Sequence, residues 1–236
     1  MKSKKTAFFV LIVYIIMQLS SILFLKPLLK LIQKMNPDLS FKTAILMTQG
    51  WWIFLSMGTA LIVSLILVKR DKGFWHVFKG EKASIPMSIG WGVIGFFLVF
   101  FGQTVGALIE QGLGIKTGSE NTANLIEIAD VAPVAIIGIV VFGPILEEFI
   151  FRRVIFGSIF RKTNFFIAAA VSAIVFAVIH FDFSHIILYA ISGFIFAFLY
   201  YKTQRIITSI IAHMMLNGFV TLVQLYQDDL MRFLGQ

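Results

Sequence analysis

The stretch AFFVLIVYIIMQLSSILFL, residues 7–25, contains no charged side chain and decides the class of fold. As a helix it would reach about 28 Å, close to the thickness of the hydrocarbon core of a bilayer. Comparable apolar runs recur along the 236 residues, of which 58% are hydrophobic and 14% are charged. In a soluble domain about a quarter of the residues would be charged. We therefore expect an integral membrane protein.

Seven hydrophobic spans predict the fold class, an all-α, polytopic transmembrane bundle of seven to eight helices. The spans are 7–25, 43–68, 84–109, 132–151, 164–181, 184–201 and 206–226. A re-entrant or interfacial helix around 27–38, in a lysine-rich segment, would provide the eighth helix. Gly102 and Gly106 form a G-x-x-x-G pair in the third span, which indicates close packing against another helix.

The basic residues predict how the bundle is oriented in the membrane. They concentrate at the N-terminus and in the loops around 69–82, 152–162 and 202–205, which fall on one side of the predicted topology. Cytoplasmic loops carry such an excess, so we expect a multi-pass protein of the cell membrane with a cytoplasmic N-terminus. Topology then explains the net charge of +8, and no nucleic-acid partner is expected. The absence of cysteine excludes disulfides and a cysteine nucleophile.

The segment GPILEEFIFR, residues 143–152, places two carboxylates and a guanidinium in an apolar region. Its glycine-proline pair predicts a break, after which a new helix would hold Glu147 and Glu148 in its first turn, where the helix dipole favours negative charge. Arg152 follows Glu148 by four residues, the spacing of an ion pair along a helix, which leaves Glu147 free. A charged flank at the end of a span would show the same pattern.

Three more polar residues lie in the last three spans: His180, His213 and Asn217. Counted from the predicted turn near Lys162, Glu147 and His180 lie at a similar depth of about 23–26 Å and can meet. His213 and Asn217 share one helix face. His213 is only about 15 Å deep, however, so its approach to His180 requires tilted or broken helices. Each histidine alone would also fit an interfacial or a hydrogen-bonded core position.

Ionisable groups are costly in hydrocarbon and usually line a polar interior. A carboxylate, two imidazoles and an amide around one pocket can hydrolyse an amide bond, with the carboxylate as general base and the other groups as donors to the oxyanion. Alternatively, Glu147, His180 and His213 could hold a Zn²⁺ that activates the water. The chain has no H-E-x-x-H motif, and the sequence leaves both routes open.

Three motifs, in this order, are similar to those of the CPBP (Abi) family of intramembrane endopeptidases. They are E-E-x-x-x-R at Glu147–Arg152, F-x-x-x-H at Phe176–His180 and H-x-x-x-N at His213–Asn217. That family includes the type II CAAX prenyl endopeptidases and bacterial relatives, some linked to bacteriocin immunity or peptide processing. The resemblance covers about 132–220.

The resemblance implies a division of the chain into three regions. These are N-terminal transmembrane helices and connecting loops over 1–131, a catalytic helical core over 132–226 and a C-terminal tail over 227–236. The most loop-like stretch, 111–125, would cover the mouth of the active site. The implied activity is hydrolysis of a peptide bond in a membrane-embedded or membrane-anchored peptide or protein.

The resemblance also implies a set of six catalytic residues: Glu147, Glu148, Arg152, His180, His213 and Asn217. Glu147 would activate the water, supported by its two charged neighbours on the same helix. His180 would assist at the centre, and His213 with Asn217 would stabilise the oxyanion. No cofactor is certain, and zinc is the one considered. The alternatives are a non-catalytic membrane scaffold or bacteriocin-immunity protein with the family fold, and a proton-coupled transporter.

Overall fold

The computed structural model describes residues 2–233 and forms an all-helical bundle, which confirms the predicted fold class. Its nine helices over these residues are α1 Lys2–Met35, α2 Phe41–Lys69, α3 Ile85–Gly112, α4 Glu120–Val131, α5 over 135–160, α6 Phe165–Val178, α7 Ile186–Thr203, α8 Ile206–Leu225 and α9 Gln227–Phe233. A short 3₁₀ turn, Phe183–His185, precedes α7. The two short helices α4 and α9 account for the excess over the predicted number. Residues 234–236 of the predicted tail lie outside the described residues.

Among the described residues, five helices are long and apolar enough to cross a membrane: α1, α2, α3, α7 with its preceding turn, and α8. The predicted spans 132–151 and 164–181 are also helical, as α5 and α6, but they are not among these five. Helix α6 has 14 residues, about 21 Å, which is less than the thickness of the hydrocarbon core. Helix α5 contacts α1, α2, α6 and α8 and therefore lies inside the bundle.

No separate helix forms around 27–38, so this prediction is wrong. Helix α1 runs without interruption to Met35, and Pro27 lies inside it. Its 34 residues extend about 51 Å, which exceeds the bilayer, so the lysines near its end lie beyond the hydrocarbon core. At this end of the bundle the Lys42 ammonium also lies 2.6 Å from the Glu127 carboxylate.

Side-chain contacts bring the basic loops and the N-terminus together at one end of the bundle. Arg153 donates through Nη2 to Ser3 Oγ at 3.1 Å and through Nε to the carbonyl of Phe74. Arg205 donates to the carbonyl of Ala83. The predicted grouping of these loops on one side is thereby confirmed, whereas a cytoplasmic location for this end stays a prediction.

Glycines allow the helices that surround the site to approach closely. A Cβ added at Gly102 would lie 2.6 Å from Ile195, and one at Gly106 would lie 3.1 Å from the Cα of Leu188. This confirms the predicted close packing of α3, whose partner is α7. A Cβ at Gly193 would lie 2.9 Å from the Cα of Ala173, so α7 also packs tightly on α6.

Candidate active site

The glycine-proline pair does not break α5, and the prediction of a new helix that begins there is wrong. The chain is helical through Pro144 because two of its segments, Gly138–Phe142 and Glu148–Phe156, are π-helical. The N–H of Gly143 donates to the carbonyl of Gly138, five residues earlier. Glu147 and Glu148 consequently lie in the middle of a helix and not in a first turn.

Because of the proline, the Ile139 carbonyl of α5 accepts its hydrogen bond from another helix. In the π-helical pattern Pro144 would donate to Ile139, but a proline nitrogen carries no hydrogen. Asn217 of α8 fills this place, since its Nδ2 donates to the Ile139 carbonyl at 3.0 Å. Irregular bonding in α5 and the position of a predicted site residue are therefore linked.

The two glutamates of α5 lie on either side of the His213 ring. His213 Nδ1 is 3.1 Å from Glu148 Oε1, and His213 Nε2 is 3.6 Å from Glu147 Oε2. The other oxygen of Glu148, Oε2, is 3.0 Å from Arg152 Nε, which confirms the ion pair predicted from their spacing. Two carboxyl groups thus alternate with an imidazole and a guanidinium, in the order Glu147, His213, Glu148 and Arg152.

The two glutamates differ in their access to water. The Glu148 side chain is 0% exposed, whereas that of Glu147 is 18% exposed. Arg152 is also fully buried, donates through Nη1 to Ser172 Oγ at 3.3 Å and lies 5.0 Å from the centre of the Phe176 ring. Glu148 and Arg152 are therefore interior groups, and Glu147 is the carboxylate that faces open space.

His180 ends up beside the same space. Its Nδ1 donates to the carbonyl of Phe176 at 2.7 Å, so Nε2 is the nitrogen left for other partners. The ring stacks on Tyr189 with 4.1 Å between ring centres. Phe181, the next residue, has a left-handed backbone with φ of 54°, which is uncommon for a residue with a side chain and turns the chain sharply after α6.

A cavity of about 600 Å³ joins these groups. Glu147, His180, His213 and Asn217 all line it, together with apolar side chains such as Leu216. The predicted loop 111–125 is shorter than expected, because α3 extends to Gly112 and α4 begins at Glu120. Loop 113–119 and the first half of α4 form one wall of the cavity.

Sequence reasoning missed a second buried acid–histidine pair in this cavity. His185 Nδ1 lies 2.8 Å from Glu110 Oε2, and both side chains are under 10% exposed. The available signal is the carboxylate of Glu110 in the last turn of the apolar helix α3. Tyr14 of α1 and Tyr189 of α7 also line the cavity and were not predicted.

The residues considered for zinc do not form a metal-binding group in this arrangement. Within residues 2–233 no cluster of three or more histidine, aspartate or glutamate side chains could hold a metal ion. Of the two ring nitrogens of His213, Nδ1 is held by Glu148 at 3.1 Å, whereas Nε2 makes no hydrogen bond to Glu147 at 3.6 Å.

The sequence is similar to a family of membrane proteases. The model of the family "Type II CAAX prenyl endopeptidase Rce1-like" matches residues 130–219. The chain is 39% identical over 223 residues to "Putative membrane peptidase YdiL" of Bacillus subtilis (strain 168), with 94% of this chain and 90% of the relative covered. It is 33% identical over 228 residues to "Membrane-embedded CAAX protease MroQ" of Staphylococcus aureus (strain USA300), with the same coverage of 94% and 90%. No solved structure matches the chain.

Proposed function

The chain belongs to the Rce1-like family of type II CAAX prenyl endopeptidases, which are membrane proteases, and we propose that it cleaves a peptide bond of a membrane-associated peptide or protein by a glutamate-activated water. The observation that carries the proposal is the position of Glu147. This carboxylate is partly exposed to a cavity that two imidazoles and an amide also line.

In the proposed reaction Glu147 takes a proton from a water molecule, and the water oxygen attacks the carbonyl carbon of the substrate. The carbonyl oxygen then carries the negative charge and needs donors. The distance of 3.6 Å between His213 Nε2 and Glu147 is longer than a hydrogen bond, so the Nε2–H is available to this oxygen. Glu147 finally passes the proton to the leaving nitrogen as the peptide bond breaks.

The remaining residues have supporting roles in this proposal. Glu148 holds the Nδ1 side of His213 and thereby orients Nε2 toward the cavity. Arg152 compensates the buried charge of Glu148. Asn217 uses one amide hydrogen on Ile139, so its second amide hydrogen can assist the oxyanion. His180 presents Nε2 to the substrate or to water.

We propose this route over the zinc route because residues 2–233 contain no group of three or more side chains that could hold a metal ion. We expect activity to survive chelation, and a loss on chelation that a divalent metal restores would support the zinc route instead. The N-terminus is proposed to face the cytoplasm, because the basic loops meet at that end of the bundle.

The test compares membranes from cells that carry wild-type protein, Glu147→Gln or Glu120→Gln. Glu120 is an exposed acid of α4 and serves as the charge control. We expect a precursor peptide or protein to accumulate with Glu147→Gln alone, and the purified wild-type protein to cleave it in detergent. Full biological function of Glu147→Gln would instead favour a non-catalytic scaffold or immunity protein.

A further inference from the structure

We infer that Glu110 and His185 are positioning residues that hold loop 113–119 against the active-site cavity through one shared proton. This inference rests on the proposed function only in calling the cavity an active site. The pair lies outside the constellation built around Glu147, and the proposed mechanism does not use it.

Three hydrogen bonds connect the pair to two different parts of the chain. Glu110 Oε1 accepts from the backbone N–H of Leu188 at 3.0 Å, which ties α3 to the first turn of α7. Glu110 Oε2 lies 2.8 Å from His185 Nδ1. The other nitrogen of His185, Nε2, lies 3.0 Å from the carbonyl oxygen of Gly118 in the loop.

The chemistry of these partners determines how many protons the pair holds. A carbonyl oxygen only accepts, so His185 Nε2 must carry a hydrogen. The contact between Nδ1 and Glu110 then needs one more proton, on the imidazole or on the carboxyl group. If this proton is lost, one ring nitrogen of His185 must turn a lone pair toward an oxygen, either that of Glu110 or that of Gly118. We expect the bond to Gly118 to break, because Gly118 lies in a loop that can move.

The held loop is coupled to the proposed catalytic residues. Ile115, Lys116 and Thr117 line the cavity, and the next residue, Gly118, has φ of +102°, a conformation that a side chain would strain. Ser119 Oγ lies 2.9 Å from the hydroxyl of Tyr189, whose ring stacks on His180. Loss of the bond to Gly118 would therefore loosen loop 113–119. Ser119 of this loop contacts Tyr189, and Tyr189 stacks on His180, so the change would reach the proposed site.

Other charged groups near His185 come from two directions. Asp182, on the connection before α7, is close enough to interact electrostatically with the ring. Lys116 is a charged residue of the loop and lines the same cavity. Substitution of Asp182 would shift the pH at which the proton is lost without removing the hydrogen bond between His185 and Gly118.

The experiment measures the mobility of the loop directly. The chain has no cysteine, so a single nitroxide label at Thr117→Cys reports on loop 113–119 in detergent by electron paramagnetic resonance. We expect an immobilised label at mildly acidic pH and a mobile one at alkaline pH. Loss of a hydrogen bond to a charged group should shift the ratio of held to released loop by roughly 10- to 100-fold.

Two variants distinguish the hydrogen bond to Gly118 from the shared proton on which it depends. His185→Leu removes the bond to Gly118, so the label should be mobile at every pH. Glu110→Gln keeps the bond between His185 and Gly118 without the shared proton. The amide oxygen can accept from Leu188, and the amide N–H can donate to Nδ1 of a neutral His185. The label should then stay immobilised over the whole pH range. Glu120→Gln should behave like the wild type.

The inference is overturned if the label in His185→Leu is as immobile as in the wild type, or if Glu110→Gln follows the wild-type pH response. The second comparison is informative even if His185→Leu does not fold. Because label mobility is recorded without substrate, this outcome does not depend on whether the protein hydrolyses a peptide.

Discussion

Glu147 and Glu148 are adjacent in sequence, yet the structure predicts opposite consequences of the same substitution. Glu147→Gln should abolish proteolysis while the protein stays nearly as stable as the wild type. Glu148→Gln should lower activity mainly because it destabilises the protein and releases His213. The difference follows from burial, since the Glu148 side chain is 0% exposed and that of Glu147 is 18% exposed.

The magnitudes follow from the contacts that each carboxylate makes. Glu148→Gln leaves the fully buried Arg152 without its anion at 3.0 Å, and a broken buried ion pair costs about 3–5 kcal/mol of unfolding free energy. For a chain of this size that corresponds to a melting temperature lower by roughly 6–20 °C. Glu147 lies at the edge of the cavity, its contact with His213 is 3.6 Å long, and glutamine keeps the shape of the side chain, so this substitution should cost under about 1 kcal/mol. Loss of a general base typically reduces the rate by about 10²- to 10⁴-fold.

Both variants should be melted in the same detergent, with the fluorescence of the four tryptophans as the signal. A double variant, Glu148→Gln with Arg152→Met, removes both charges and should regain much of the lost stability, because a buried pair is costly mainly when it is broken. Equal melting temperatures for Glu147→Gln and Glu148→Gln would refute this reasoning. A double variant that is no more stable than Glu148→Gln would do the same.

Three further predictions test packing and hydrogen bonding. Gly193→Ala should destabilise by about 1–3 kcal/mol, because the added Cβ meets backbone of α6, whereas Gly90→Ala in open space should be neutral or slightly stabilising in the same melting assay. Asn217→Leu should lower the free energy of unfolding by about 1–3 kcal/mol, because the Ile139 carbonyl of α5 loses its donor. Pro144→Ala restores a backbone N–H, so a double-mutant cycle should show a smaller loss for Asn217→Leu in that background. Lys42→Gln should change stability by less than about 1 kcal/mol, since its ion pair is well exposed, and a larger loss of melting temperature would contradict this.

The predictable features of this protein are those that depend on spacing along one helix. The i, i+4 spacing of Glu148 and Arg152 predicts their ion pair, which forms. Uninterrupted apolar runs predict the long helices, and within residues 2–233 five of these are long and apolar enough to cross a membrane. Glu147 and His180 were expected to lie at one depth, and both line the same cavity.

The remaining features depend on contacts between distant segments. The two π-helical segments of α5 are not visible in its apolar pattern, since they depend on partners such as Asn217, 78 residues beyond Ile139. This irregular helix accounts for the approach of His213 to Glu147, which straight helices of the predicted depths would not allow. The bond between His185 and Glu110 spans 75 residues and carries no local sequence signal.

The order of these groups gives each member of the proposed site a distinct role. The carboxyl groups of Glu147 and Glu148 face the imidazole of His213, and Glu148 also faces the guanidinium of Arg152; a buried acid with such partners is far less costly than one without them. Proton uptake by Glu147 during the proposed catalysis would change the charge of this network by one. That step is least costly at the cavity edge, where water can screen the change, and Glu147 is the acid at that edge. A base at the position of Glu148 would have to change its charge in a fully buried environment, so we assign proton transfer to Glu147 and the support of His213 to Glu148.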